Sequence, residues 1–237
     1  MSHPTALLLA RAGHGPVETA FQTGRLNSSD PFGEARHTAA MHDDGIAAGT
    51  LRLGGTLAVQ HYPFTEMLVV HRGVVTLRSD GQQIDVHPGQ SVVVGRGTAL
   101  QIDASSDSLC AFCVATLATG PDKPGIFLLD ARTVLAPSAP PEAAVLLGPT
   151  PQCRANNLFE DTASALRIGV WDSTPYARSA RAHKVHELMH LLEGTVELVD
   201  GNGGRVTVNA GDTVFVAQGT VCAWTSAVYV RKFYGVA

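Results

Sequence analysis

The chain has 237 residues, 45% of them apolar and 16% charged, which is enough to bury a substantial core and excludes disorder of the whole. Seventeen Lys and Arg against 21 Asp and Glu leave a formal charge of −4 with no basic cluster, so nucleic acid is not an expected partner. No stretch reaches the length of a membrane span, and the four cysteines, Cys110, Cys113, Cys153 and Cys222, are too irregularly spaced for a disulfide framework; a cytoplasmic protein without membrane association is expected.

Along the chain, the apolar run Ala6-Leu7-Leu8-Leu9-Ala10 is too short for a signal-peptide core and follows no basic residue. Short β-branched or alternating runs then recur: Val74-Val75-Thr76-Leu77, Val92-Val93-Val94, Leu109 to Thr116, and Gly204-Arg205-Val206-Thr207-Val208. Turn sequences such as Ser79-Asp80-Gly81 and Asp200-Gly201-Asn202-Gly203 separate them, which is the pattern of hairpins, and helical periodicity is nearly absent. Cys110-Ala111-Phe112-Cys113 has CxxC spacing, but residues three apart on a strand face opposite sides, so a structural role is expected. Seven prolines between Thr119 and Pro151 mark an inter-domain connection, giving expected domains at 1–125 and 126–237.

The two halves repeat each other. Glu66-Met67-Leu68-Val69-Val70-His71-Arg72-Gly73 aligns with Glu187-Leu188-Met189-His190-Leu191-Leu192-Glu193-Gly194 at an offset of 121. After one inserted residue, Val86-His87-Pro88-Gly89 aligns with Val208-Asn209-Ala210-Gly211, and Gly97-Thr98 with Gly219-Thr220. Glycines recurring at matched turns mark places where the backbone needs an unusual conformation.

A Glu, six residues and a Gly, followed by a second Gly opening a strand-turn-strand unit, resembles the two cupin motifs, and both copies carry it. The C-terminal copy is the closer match, with Gly169-Val170-Trp171, Leu192-Glu193-Gly194, Ala210-Gly211-Asp212-Thr213, Trp224 and Val230-Arg231-Lys232-Phe233-Tyr234. It is similar to the branch that includes ureidoglycine aminohydrolase and the ethanolamine-utilisation cupins. The resemblance implies an all-β chain of two tandem jelly-roll β-barrels, a homodimer at the family level, and a barrel interior that holds one divalent metal, Zn, Mn, Fe or Ni. The positions matching the aminohydrolase's metal set are Arg181, His183, Glu187 and Cys222. Placing His183 on one strand face with Glu187, the expected metal ligands are His183, Glu187 and Cys222, and the expected pocket residues are Arg181, Met189, Leu191 and Trp224. His186 and His190 fall on the opposite face and are expected in surface or inter-sheet packing. In the N-terminal copy His61 and Glu66 survive, but Val59 and Leu100 replace ligands, so a metal-free barrel is expected.

Two functions of different class are compatible with these residues. One is an enzyme, a metal-dependent hydrolase, isomerase or oxygenase acting on a small metabolite, with Arg181 orienting an anionic group. The other is a non-catalytic bicupin that binds a small molecule or is purely structural, its metal sites vestigial.

Overall fold

Alternating apolar residues between glycine-marked turns set the architecture. In the computed structural model, residues 6–201 and 203–237 are described, and they form twenty strands and two single-turn 3-10 helices. No helix among them is long and apolar enough to cross a membrane. Of the expected hairpin turns, Asp200–Gly203 includes Asn202, which lies outside the described residues.

Two units emerge, and each is assembled from separated stretches of chain. The first comprises Met1–Thr19, Ala131–Leu158 and Ile168–Val236; the second comprises Ala20–Asp130 and Phe159–Arg167, with the terminal Ala237. A single cut between residues 125 and 126 does not describe this division. The proline-rich stretch is not a bare tether either, since Ile126–Leu128 pairs with Ser91–Val94 and Ala136–Ser138 pairs with Cys153–Asp161.

The N-terminal barrel is built around two long strands, Ile46–Val59 and Leu100–Ala115, paired along nearly their whole length. Each serves both layers, because register slips near Leu53 and Gly55 let the ribbon bend. The second half of Leu100–Ala115 pairs with Thr65–Arg72, and its first half with Val75–Ser79. Between the layers lies an apolar core that includes Leu51, Leu68, Leu77, Val92, Ile102 and Phe112. Cys110 belongs to that core and both cysteines of the CxxC are fully buried; burial, with the charge of Glu66 adding to it, pushes both thiols up to about 12. They are therefore unreactive packing residues.

The C-terminal barrel has a seven-stranded sheet and a four-stranded one. The larger runs in the order Ala6–Ala10, Thr213–Val216, Glu187–Glu193, Val230–Val236, Leu166–Ser173, Cys153–Asp161 and Ala136–Ser138. The smaller runs Tyr176–Ala182, Val221–Ser226, Thr195–Asp200 and Arg205–Asn209. Met189, Leu191, Val196, Leu198, Val214 and Trp224 are among the residues of its core.

The duplication is written in the hydrogen-bond register. Glu66 sits opposite Val94 and Glu187 opposite Val216; Val70 faces Cys110 and Leu191 faces Lys232; Val59 faces Leu100 and Arg181 faces Cys222. Each pair maps onto the next at offsets of 121 and 122. The amide of Gly89 donates to Val70 and that of Gly211 to Leu191, at 2.8 and 2.7 Å. Both glycines are left-handed, with φ of 82° and 84°, a conformation that costs any residue with a Cβ. Two tandem all-β cupin barrels are what the repeat implied.

Candidate functional site

The C-terminal barrel gathers its chemistry around Glu187, the first residue of the strand Glu187–Glu193. His183 does not share that strand. Four residues along an extended strand span about 13 Å, too far for a hydrogen bond. His183 instead follows the end of Tyr176–Ala182, and the turn through Lys184 and Val185 brings its Nε2 to 2.9 Å from Oε2 of Glu187.

The other carboxylate oxygen is taken by a residue that the motif alignment left without a role. On Val230–Val236 side chains alternate, so Val230 and Lys232 turn inward while Phe233, on the other face, stacks on His190. Lys232 Nζ lies 2.8 Å from Oε1 of Glu187, with its side chain 7% exposed. The ammonium stands 4.8 Å from the centroid of Trp171 and 5.3 Å from that of Trp224, a cation held against two indole faces. The signal for it was present in sequence, since two adjacent bases on one strand, Arg231 and Lys232, must face opposite sides.

These neighbours fix the charge states. Burial alone raises the Glu187 carboxyl, but Lys232 and His183 outweigh it and hold the group well below the usual carboxylate range. Burial lowers the His183 imidazole, yet Cys222 and Glu187 beside it bring its pKa above the ordinary value. Burial raises the Cys222 thiol, while His183 and the charge of Arg178 more than offset this and leave it below the ordinary thiol value. Arg178, itself buried, donates from Nη1 to the Cys222 carbonyl at 2.7 Å.

The expected residues thus converge in part. His183, Glu187 and Cys222 come together, but the carboxylate among them is paired with an ammonium. Met189 and Leu191 are 1% exposed and belong to the packed core rather than to an open pocket. Trp224 stacks on Tyr176 and meets Trp171 edge-on. Three nitrogens, Arg181 Nε, His183 Nδ1 and Trp224 Nε1, are buried with no hydrogen-bond partner among the described residues. His186 and His190 are buried, their rings stacked on Phe215 and Phe233.

A divalent metal does not fit this set. Both Glu187 oxygens are engaged, one by a fixed cation that would repel a metal and the other by the His183 Nε2 that would have to ligate it. No group of three or more His, Cys, Asp or Glu among the described residues has the arrangement to hold a metal ion.

The N-terminal barrel makes the same substitution differently. The amide of Gly97 donates to Tyr62 and that of Gly219 to His183, both at 2.8 Å, so the counterpart of His183 is Tyr62 and not His61. Tyr62 bonds Glu66 through its hydroxyl, as His183 bonds Glu187. His61 is one residue out of place, an exposed side chain paired with Asp122. Glu66 is held at 2.8 and 3.1 Å by both terminal nitrogens of Arg36, a fully buried guanidinium that also meets Asp30.

The model of the EutQ-like cupin domain matches residues 161–234. A protein of unknown function from Pseudomonas syringae pv. tomato, assigned to the DUF861 family and known from its crystal structure, is 57% identical. The match covers 99% of this chain and 100% of the other, with a TM-score of 0.97. The chain belongs to the DUF861 family of cupins. YlbA from E. coli, also of DUF861, is 12% identical over 100% of this chain and 93% of its own, with a TM-score of 0.53. A salicylate 1,2-dioxygenase from Pseudaminobacter salicylatoxidans is 11% identical over 81% of this chain and 71% of its own, with a TM-score of 0.51. These two share the cupin fold with the DUF861 chain and no more than that follows from them. No curated protein matches the sequence.

Proposed function

We propose that the C-terminal barrel binds a small organic anion bearing a carboxylate, without a metal, and that Lys232 supplies the positive charge a metal provides in other cupins. The observation that carries this reading is Lys232 Nζ lying 2.8 Å from Glu187 against two indole rings. Beside it the buried Arg178 donates to the Cys222 carbonyl, so a second cation borders the same cluster. The three partnerless nitrogens add donors: leaving such a group dry and unpaired costs about 1–3 kcal/mol, and a ligand's carboxylate oxygens would relieve that cost. This geometry supports reading the protein as a small-molecule-binding bicupin over a metal-dependent hydrolase, isomerase or oxygenase.

Both tryptophans of the chain, Trp171 and Trp224, border the site, so intrinsic fluorescence reports on it alone. Titration with acetate, malonate and benzoate at constant ionic strength is expected to change the emission saturably, and Lys232→Met to abolish the change. A stoichiometric metal retained by protein purified without a metal-binding tag, and lost from His183→Ala and Glu187→Ala, would overturn the reading.

A further inference from the structure

In the N-terminal barrel Arg36 meets a second carboxylate besides that of Glu66. Its Nε lies 2.8 Å from Oδ2 of Asp30, and both side chains are wholly buried. Its Nη2 donates to Oδ1 of Asp30 at 3.3 Å. Asp30 belongs to no barrel strand; it sits in the loop between Gln22–Thr23 and the single-turn helix Gly33–Ala35. The same carboxylate accepts the amides of Leu26 at 2.9 Å and Phe32 at 3.2 Å. Leu26 and Phe32 enter the core of this barrel, and Phe32 meets Tyr62 edge-on, while Asn27, Ser28 and Ser29 stay on the surface. The loop therefore inserts one carboxylate and two apolar side chains beside the Tyr62–Glu66 pair.

The two copies differ at this point. Glu66 and Glu187 share a register position, and each is paired with one buried cation. Among the described residues Lys232 is ion-paired with Glu187 alone, whereas Arg36 is ion-paired with both Glu66 and Asp30. The N-terminal cluster thus holds one carboxylate more than its counterpart, and a surface loop delivers it. Two guanidinium nitrogens on one side and two backbone amides on the other are the surroundings in which a bound carboxylate is held. From Cβ outward, an aspartate side chain is an acetate group.

We propose that the N-terminal barrel is a carboxylate-binding site filled in cis: the Asp30 side chain takes the place of a small monocarboxylate on Arg36, and the loop of residues 24–32 shuts the site. This rests on Arg36 and does not depend on the anion site read at Lys232.

Emptying the site tests it. Asp30→Ala removes the carboxyl group and leaves a void of its size beside Arg36, which sodium formate matches; Asp30→Asn keeps that space filled and is the control. Urea midpoints of the full chain are compared in sodium formate and sodium chloride at equal ionic strength, and the wild type subtracts whatever formate does elsewhere on the molecule. Asp30→Ala is expected to have a lowered midpoint in chloride and to recover at least half of the loss in formate, with no recovery for Asp30→Asn. Should Asp30→Ala be unfolded in chloride, formate is expected to restore folding. A loss equal in the two salts, equal recovery in Asp30→Asn, or an Asp30→Ala chain unfolded in both salts would each overturn the proposal.

Discussion

Glu187 and His183 form a pair whose two titrations pull stability in opposite directions along the pH scale. The Glu187 carboxyl is depressed in the folded chain by Lys232 and His183. Its contribution is therefore present above the unfolded value of about 4.3 and is lost as pH falls through the folded one. The His183 imidazole is raised by Cys222 and Glu187, against its burial. That contribution is complete below the unfolded value of about 6.5 and disappears as pH rises through the folded value above it. Urea midpoints are thus expected to be highest between these limits and to fall on both sides. In His183→Gln the alkaline fall should flatten while the acid fall persists; identical wild-type midpoints at pH 6 and pH 9 would count against the imidazolium.

At the level of the element, the polar centre depends on how closely two strands approach beside it. A Cβ on Gly169 would lie 2.1 Å from the Asn156 carbonyl oxygen and 2.7 Å from the Tyr234 hydroxyl. Backbone cannot yield to that contact, and Tyr234 is held by its hydrogen bond to Asn157. Gly169→Ala is expected to cost about 3 kcal/mol by overpacking, read as a lowered urea midpoint. A midpoint unchanged within error would mean the strands separate freely. The strands themselves were legible: β-branched runs at Val92–Val94 and Arg205–Val208 fall on strands Ser91–Val94 and Arg205–Asn209, because a strand's pattern is local. The connection at 183–186 was not legible. An alternating pattern read through His183 to Glu187 looks like one strand, and only the turn explains why the two side chains meet.

For the whole molecule, the repeat carried the fold because matched glycines at 89 and 211 need the same left-handed backbone, and a glycine's necessity is visible in sequence. The site was half visible for the opposite reason. Motif alignment finds residues where ligands are expected, whereas Lys232 and Arg36 reach Glu187 and Glu66 from strands outside those motifs. Likewise Tyr62 and His61 differ by one position, a distinction that only the register decides. Nor could composition reveal that each unit draws on distant stretches of chain.

That interleaving sets an order of assembly during synthesis. Strand Ala6–Ala10 leaves the ribosome first, yet its partner is Thr213–Val216, and Arg11 waits for Asp212, 201 positions later. At about 5–20 residues per second the wait is on the order of 10 s or more. The second unit must likewise wait for Phe159–Arg167, by which point most of the chain has been made. Every strand of the N-terminal barrel's sheet lies between Gln22 and Leu128, but the C-terminal barrel cannot close until Thr213–Val216 is made, and the apolar strand Ala6-Leu7-Leu8-Leu9-Ala10 lacks its partner until then. The nascent chain thus carries a sticky edge until its own far end arrives, which makes this segment the expected point of chaperone capture.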